Sequence, residues 1–222
     1  MTDTAVVVIT CKRFEQVWDP FFILFRRYWP DCPYKTYMIT DFGQYDSVEN
    51  ITINADLGFA SNLAYGLKKI PEDNIIYFQE DYLATDPFNN EKIMGFVKCL
   101  QDKNLGCLRL APCPGPTAPW PHNKDLGILQ PGDAYRVSTQ TAIWSKETLL
   151  SLLVPGETGG DFEIKGTRRS TSLSKPFLSV WRGQTPTPYF ITAVVRGEWQ
   201  EGALELLKKE NISTDNITRI IK

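Results

Sequence analysis

Five consecutive aliphatic residues near the N-terminus, residues 5–9, constrain the fold more than any other feature of this sequence. The run has no polar residue, so both faces of an extended segment would be apolar. A strand of this kind is typical of a parallel sheet that helices cover on both sides. Polar residues follow at once, from Thr10 to Arg13, which predicts that the strand ends there.

Strand-like and helix-like segments alternate along the rest of the chain. Further strands are predicted at 35–39, 50–53, 74–78, 107–110, 134–141 and 189–195. Helices are predicted at 14–29, 61–69, 89–102, 144–154 and 198–210. This alternation is typical of an α/β fold with a mostly parallel central sheet flanked by helices. The 222 residues suit a single domain of this class better than two domains.

Composition and charge exclude several classes of function. The 24 Lys and Arg residues nearly balance the 26 Asp and Glu residues, so nucleic-acid binding has no compositional support. His122 is the only histidine, which excludes a site that needs two histidines from one chain. No apolar stretch approaches the ~20 residues of a membrane span, and the first residues lack a signal-peptide pattern. We therefore expect a cytoplasmic protein, and Arg26 and Arg27 beside an aromatic helix leave open a peripheral association with the inner membrane face.

Polar and charged side chains follow three of the predicted strands. The carboxyl ends of parallel strands meet at one edge of a sheet, and ligands bind along that edge. Cations there can neutralise phosphate oxygens, and carboxylates can accept hydrogen bonds from ribose, base or sugar, or hold a divalent ion. These residues are Thr10, Lys12 and Arg13 after the first strand, Asp41 after the second, and Glu80 and Asp81 after the strand at 74–78. The pattern predicts a ligand that carries phosphate together with a sugar or a base.

A proline-rich segment covers residues 112–131, with six prolines. A segment of this length inside a compact chain predicts either a binding loop or a rigid surface excursion. Trp120 and His122 lie in it, where the aromatic ring could stack on a sugar or simply pack against the loop.

An acidic and a basic cluster follow in the segment 157–169. Glycines at positions 159 and 160 allow a sharp bend and a close approach of the backbone to a ligand. Glu157 and Asp161 could serve a reaction, or they could cap a helix. Arg168 and Arg169 could bind an anion, or they could form a solvated basic loop.

Residues 56–70 and 74–83, followed by Pro87, resemble the central segment of glycosyltransferases of the GT-A fold. In that family a helix with small residues and an Asn precedes an apolar strand, the strand delivers an acidic motif, and a proline follows. The segments 138–144 and 157–163 fit the same order, so the resemblance covers most of residues 5–200. Bacterial members that make surface polysaccharides end this strand in an acidic pair followed by Tyr, which is similar to Glu80-Asp81-Tyr82 here.

The resemblance implies a single GT-A-like, Rossmann-like domain over residues 1–222. Residues 1–110 would be the nucleotide-sugar-binding half, 111–200 the acceptor and catalytic half, and 201–222 a C-terminal helix and tail. The implied activity is transfer of a sugar from a nucleotide-sugar donor to a glycan or lipid-linked acceptor in bacterial surface polysaccharide synthesis, such as capsule or O-antigen.

The resemblance also implies roles for individual residues. Glu157 or Asp161 would be the catalytic base that takes the proton from the acceptor hydroxyl. Trp120 and His122 would line the acceptor site. Asp81 would bind Mg²⁺ or Mn²⁺, but the strict Asp-x-Asp motif is absent, which leaves metal dependence open. The donor-binding residues would be Thr10, Lys12, Arg13, Asp41, Ser61, Asn62, Glu80, Asp81, Arg168 and Arg169.

Two other functions stay open. A nucleotidyltransferase would also hold Mg²⁺ with carboxylates on an α/β sheet. It should show a glycine-rich phosphate loop after the first strand, and residues 10–13 contain no glycine. A non-catalytic sugar- or protein-binding module with a degenerate site would fit the missing Asp-x-Asp motif.

Overall fold

The computed structural model describes residues 3–218, in which helices flank a large central sheet, as the α/β prediction requires. The strands in chain order are β1 (Thr4–Ile9), β2 (Lys35–Thr40), β3 (Glu49–Thr52), β4 (Asn74–Gln79), β5 (Leu83–Ala84), β6 (Cys107–Arg109), β7 (Ala118–Pro119), β8 (Leu126–Ile128), β9 (Ala142–Ser145), β10 (Phe177–Val180), β11 (Tyr189–Phe190), β12 (Val194–Val195) and β13 (Glu198–Trp199). The helices are α1 (Glu15–Tyr28), α2 (Phe59–Leu67), α3 (Asn90–Asp102), α4 (Lys146–Leu152), α5 (Gly159–Ser170) and α6 (Glu201–Lys209). A short 3₁₀-helix, Lys12–Phe14, connects β1 to α1.

The central sheet has nine strands within the described residues, in the order β3-β2-β1-β4-β9-β6-β10-β8-β7. Of these, β8 and β9 run against the direction of the other seven. The prediction of a mostly parallel sheet is therefore confirmed. Ile9 of β1 pairs with Ile39 of β2 and with Gln79 of β4, so the residues that follow these three strands come together at one edge.

The first strand is buried on both faces. Each of its six residues is at most 5% exposed. Val6 and Val8 belong to the core beneath α1, α3 and α6. Ala5 and Val7 belong to the core beneath α2, α4 and α5. The unbroken aliphatic run thus supplies the apolar surface that both helical layers need.

The aromatic stripe of α1 faces the sheet, as its spacing predicts. Phe21 and Phe25 stack at 5.8 Å, and Phe25 meets Phe78 of β4 edge-on at 5.7 Å. Pro20 lies in the second turn of the helix and is buried. No helix among residues 3–218 combines the length and the apolar character needed to cross a bilayer.

The second half of the sheet differs from the sequence prediction. The predicted strand 134–141 is a loop, and the strand of this region is β9, which includes Trp144 and Ser145 of the predicted helix 144–154. β9 lies between β4 and β6, so strand neighbours on both sides fix its extended backbone. The predicted strand 189–195 is divided into β11 and β12, and Thr192 between them has a φ of 61°. The sequence analysis did not predict β10.

Candidate functional site

A cavity of about 370 Å³ opens at the carboxyl ends of β1, β2 and β4. Parallel strands explain its position, since each strand delivers the residues that follow it to the same edge of the sheet. The cavity brings together six of the residues that the sequence predicts for donor binding. They are Thr10, Arg13, Asp41, Asn62, Glu80 and Asp81.

Asp41 forms the cavity wall at the end of β2 and is only 6% exposed. Its Oδ1 accepts hydrogen bonds from the backbone N–H of Lys12 at 2.6 Å and of Phe42 at 2.7 Å. These bonds join the segments that follow β1 and β2, and they fix the carboxylate. Its Oδ2 accepts no hydrogen bond from a described residue, so this oxygen is available to a ligand.

Glu80 and Asp81 occupy the turn directly after β4, where the N–H of Tyr82 donates to the carbonyl of Gln79. Glu80 is 8% exposed. Burial raises the pKa of both carboxyls, and the charge of Asp81 raises the pKa of Glu80 further. Two adjacent carboxyls that resist ionisation favour a ligand that compensates their charge, such as a cation or a group rich in hydroxyls.

The chain after β11 holds this turn in place. The N–H of Ala193 donates to the carbonyl of Asp81 at 2.9 Å. The N–H of Val194 bonds the Asp81 carboxylate and partly offsets the rise in its pKa. Behind the turn, the ring of Tyr82 stacks on that of Tyr189 with 4.9 Å between centroids. The acidic turn is therefore supported from a distant part of the sequence.

The residues after β1 contribute a hydroxyl, a thiol and a cation. Trp18 Nε1 donates to Thr10 Oγ1 at 2.7 Å, which fixes the hydroxyl. Arg13 is exposed and forms no salt bridge within the described residues, and its charge lowers the pKa of Glu80. Burial and nearby carboxylates raise the pKa of Cys11 to about 11, so the thiol is protonated at neutral pH and is a poor nucleophile.

The sequence analysis missed the turn before α2. Asp56 and Gly58 line the cavity. The N–H of Gly58 donates to Asp56 Oδ1 at 2.9 Å, and Gly58 has a φ of 81°, a conformation that favours glycine. Asn62 closes the turn, since its Oδ1 accepts from the N–H of Leu57 at 3.1 Å. An Asp followed two positions later by Gly, directly before a predicted helix, is a turn signal that could have revealed this wall.

Two predicted donor-binding residues lie beside the cavity but direct their side chains elsewhere. The Lys12 ammonium pairs with Glu15, and only the backbone N–H of Lys12 reaches Asp41. Ser61 Oγ accepts from the N–H of Gly156 at 3.1 Å. Neither residue lines the cavity, and their role in donor binding stays a prediction.

Three of the four residues predicted to act in the segment 157–169 pair with their neighbours. Glu157 is 7% exposed and binds Arg169 through both oxygens, at 2.9 and 2.6 Å. Asp161 completes the N-terminal capping box of α5, and its bond with Lys165 lowers its pKa to about 2. Arg168 is exposed near the end of α5. None of these residues lines the cavity, and their catalytic and donor-binding roles stay predictions.

Trp120 and His122 also lie outside the cavity. Trp120 packs against the core, and the exposed His122 ring lies edge-on to it at 4.9 Å. The proline-rich segment contains β7 and β8, which pair with each other and extend the sheet. The acceptor role of the two residues stays a prediction.

The acidic turn offers donors for a divalent cation. Within residues 3–218, no group of three or more His, Cys, Asp and Glu side chains is arranged to hold a metal ion. A magnesium ion that binds together with a nucleotide needs only one or two carboxylates, because phosphate oxygens and water complete its shell. The adjacent carboxylates of the buried Glu80 and the half-buried Asp81 fit that donor set.

No protein-family model matches the sequence, and no curated protein sequence matches it either. Solved structures are similar in fold. S. aureus TarS in complex with UDP-GlcNAc matches with a TM-score of 0.57 and 12% identity, over 94% of this chain and 65% of that one. The mannosyltransferase PcManGT from Pyrobaculum calidifontis, in complex with GDP-Man and Mn²⁺, matches with a TM-score of 0.52 and 14% identity, over 88% and 58%. A cytidylyltransferase from Leptospira borgpetersenii matches with a TM-score of 0.53 and 11% identity, over 98% and 100%.

At these identities the likeness shows the fold alone. The chain spans less than two thirds of the length of TarS and of the mannosyltransferase. Nucleotide-sugar transferases and nucleotidyltransferases share this architecture. The fold that the sequence resemblance implies is confirmed: this chain has the GT-A-like fold of nucleotide-sugar transferases.

Proposed function

We propose that this protein is a glycosyltransferase that binds a nucleotide-sugar donor in the cavity at the ends of β1, β2 and β4. The observation that carries the proposal is the position of the Glu80–Asp81 turn in the same cavity as Thr10, Arg13 and Asp41. The finer role is addition of the sugar to a glycan or lipid-linked acceptor in bacterial surface polysaccharide synthesis. This role rests on the sequence resemblance, and it would take place in the cytoplasm, with peripheral association at the inner membrane face left open.

The reaction breaks the bond between the anomeric carbon and the diphosphate, and the leaving nucleoside diphosphate takes up the bonding electrons. Arg13 would neutralise part of this charge, because it is the one cation among the described residues that line the cavity. Glu80 and Asp81 would hold Mg²⁺ or Mn²⁺ when it is bound, and the ion supplies further charge neutralisation. The acceptor hydroxyl bonds to the anomeric carbon and gives its proton to a carboxylate, for which Glu157 and Asp161 are the predicted candidates.

A nucleotidyltransferase is the second candidate function. It is favoured by the likeness to a cytidylyltransferase over nearly the whole of both chains. It would join a nucleoside triphosphate to a phosphorylated substrate and release pyrophosphate. The lack of glycine in residues 10–13 argues against it, because a backbone loop around a triphosphate needs close approach.

Thermal-shift measurements on the purified protein test the proposal. We expect UDP, GDP, CDP or ADP, or one of their sugars, to raise the melting temperature when Mn²⁺ is present. A ligand at one hundred times its dissociation constant stabilises a protein by about 2.7 kcal/mol. Larger shifts with nucleoside triphosphates would favour the nucleotidyltransferase, and no shift with any nucleotide would contradict both enzymes and favour a non-catalytic module.

The variant Asp81→Asn tests the acidic turn. The substitution preserves the shape of the side chain but removes a charge that faces the cavity. We expect diphosphate binding in Mn²⁺ to weaken at least about tenfold, since a charged contact contributes about 1.5–3 kcal/mol. Asp102→Asn on the exposed end of α3 is the matched control and should bind as the wild type does. Equal binding by Asp81→Asn and the wild type would refute the role of Asp81.

A further inference from the structure

A second pocket, of about 350 Å³, is formed by α1, the start of β2 and the residues before β3. Four aromatic side chains line it, and each is at most 9% exposed. They are Phe22, Phe25 and Trp29 of α1 and its C-terminal end, and Tyr34 directly before β2. We call it the aromatic pocket. Among the described residues, it shares no lining residue with the cavity at the strand ends.

The rings of the aromatic pocket hold one another in fixed orientations. Trp29 meets Phe25 edge-on at 5.6 Å and Tyr34 edge-on at 6.0 Å. The indole N–H of Trp29 donates to Asn90 Oδ1 at 3.0 Å, which satisfies the polar edge of this ring. Aromatic walls favour a ligand that is itself a ring, because rings attract one another edge-on or offset. An apolar cavity of about 150 Å³ is enough for benzene, so the aromatic pocket has room for one or two rings.

The Tyr34 side chain brings a hydrogen-bond donor to this wall. Its hydroxyl bonds to no other described residue, although Tyr34 is only 9% exposed. Burial raises the pKa of Tyr34 to about 12, so the hydroxyl keeps its proton at neutral pH. A polar group left unpaired in a largely buried position costs free energy until water or a ligand bonds to it. An acceptor oxygen on a ligand would satisfy this hydroxyl.

Arg26 gives the aromatic pocket a positive charge. Its guanidinium lies 5.9 Å from the centre of the Phe22 ring, and its Nη2 donates to the carbonyl of Asp46 at 3.1 Å. Asp19 and Asp46 line a smaller pocket on its other side, but neither carboxylate lies within 4 Å of Arg26. A guanidinium has five N–H donors, so Arg26 retains donors for an anion.

The other residues that line the aromatic pocket leave this charge uncompensated. Within the described part of the chain, Arg26 is the one Lys, Arg, Asp or Glu residue among them. Burial raises the pKa of the Cys32 thiol, which also lines the pocket, to about 11, so this group is neutral at physiological pH. A single cation beside an apolar wall favours a ligand with an apolar body and one negative charge.

We propose that the aromatic pocket binds a small aromatic acid of one or two rings. The ring would lie among Phe22, Phe25 and Trp29. The carboxylate would pair with Arg26, and an oxygen of the ligand would accept from the Tyr34 hydroxyl. This site is independent of the proposed function, because it lies apart from the cavity in which the nucleotide-sugar would bind.

Calorimetric titration of the full chain with benzoate, 4-hydroxybenzoate, indole-3-acetate and 2-naphthoate tests the proposal. We expect at least one of these acids to bind with a dissociation constant at or below about 1 mM. Its neutral amide should bind at least about tenfold more weakly, since the amide cannot pair with the guanidinium charge. Laurate carries the same carboxylate on an aliphatic chain and should also bind more weakly. Excess UDP or GDP should not displace the aromatic acid.

Substitutions at Arg26 and Tyr34 locate the ligand. Arg26→Gln should weaken binding of the acid at least about tenfold and leave binding of the amide nearly unchanged. Arg27→Gln is the matched control, because Arg27 pairs with Glu210 and does not line the aromatic pocket. Tyr34→Phe should weaken binding about two- to tenfold. Its melting temperature without ligand should be no lower than that of the wild type, since it loses only an unpaired hydroxyl.

Several outcomes would overturn the proposal. They are failure of all four acids to bind, equal binding by Arg26→Gln and the wild type, and displacement by a nucleotide, which would place the acid in the cavity. Tighter binding of laurate would replace the aromatic ligand with an aliphatic one. Binding that depends on Arg26 but not on Tyr34 would move the ligand to the smaller pocket beside Asp19.

Discussion

The cavity at the strand ends and the segment 157–169 contain similar charged residues. They differ in whether those charges are paired with opposite charges of the protein. Among the described residues that line the cavity, four carry carboxylates and one carries a guanidinium. Burial raises the pKa of Glu80 and Asp81 there. In the segment 157–169, Glu157 is bound by Arg169 and Asp161 by Lys165.

The difference indicates which region is the better candidate for a ligand site. Charges that neutralise each other stabilise the chain, and they need nothing from outside the protein. Charges that are crowded and buried without a counter-ion cost free energy, and natural proteins keep such groups mainly where they bind or react. The cavity is therefore the better candidate for the binding site, whereas the pairs Glu157–Arg169 and Asp161–Lys165 neutralise each other's charge within the segment 157–169.

The largest effect on stability is expected from Arg169→Ala. The variant leaves the Glu157 carboxylate buried without its partner and also removes a bond to the carbonyl of Leu152. We expect a loss of about 2–3 kcal/mol in the free energy of unfolding, somewhat below the usual cost of breaking a fully buried pair because the Arg169 side chain is 29% exposed. Urea denaturation measures it.

The exposed pair in the same helix provides the control. Lys165→Ala should change the free energy of unfolding far less than Arg169→Ala does, because an exposed ion pair contributes little. If Arg169→Ala were as stable as the wild type, the claim that paired charges stabilise the segment 157–169 would be wrong. Loss of nucleotide binding in a folded Arg169→Ala variant would support the donor-binding role that the sequence predicts for this residue.

A smaller loss of stability is expected from a substitution at Gly66, where α2 covers the sheet beside the cavity. A Cβ at Gly66 would clash with the side chain of the buried Ile39. We expect Gly66→Ala to destabilise the protein by about 1–2 kcal/mol, since overpacking outweighs the helix propensity of Ala. Gly95 in α3 has open space around it, so Gly95→Ala should stabilise by up to about 1 kcal/mol. Thermal unfolding of both variants checks the opposite signs.

The smallest effect is a gain in stability from Glu80→Gln in the absence of ligand and metal. Burial and Asp81 raise the pKa of Glu80 above its ordinary 4.5, so the folded state binds this proton more tightly than the unfolded state. Stability from this group is therefore present at low pH and is lost as the pH rises through the raised pKa. We expect Glu80→Gln to match the wild type near pH 4 and to exceed it by about 1 kcal/mol at alkaline pH.

Glu147→Gln is the control for this pH dependence. Lys175 lowers the pKa of Glu147, so its stabilising contribution is present above the ordinary carboxyl pKa and is lost as the pH falls. The melting temperature of Glu147→Gln should therefore lie below that of the wild type at neutral pH, the opposite sign to Glu80→Gln. A Glu80→Gln variant that is less stable at every pH would show that Glu80 is a structural residue.

The first half of the fold could be predicted because its signals are local. The aliphatic run 5–9 and the strand at 74–78 have no polar alternation, and the spacing of the aromatic residues in α1 marks its buried face. In the second half, β9 is a short apolar segment whose extended form depends on β4 and β6 at its sides. Neither strand adjoins it in sequence, so its pattern could equally predict a helix.

The candidate site likewise contains residues that the sequence predicted and residues that it did not. Thr10, Asp41 and Glu80 lie within two positions of the ends of predicted strands, so the topology of a parallel sheet was enough to bring them together. The sequence analysis did not predict Asp56, because its position at the cavity depends on the turn that Gly58 and Asn62 hold. That turn becomes a cavity wall only through packing of α2 on the sheet.

By itself, the sequence determined the layered α/β fold and the set of side chains at the ends of β1, β2 and β4, because strand patterning and strand ends are properties of neighbouring residues. Only the tertiary structure decided which charges are free. Arg169 lies twelve positions from Glu157 and Lys12 lies 29 positions from Asp41, and the fold alone sets whether such side chains meet. A charge paired in this way is satisfied by the protein, whereas an unpaired one in a cavity is left for a ligand.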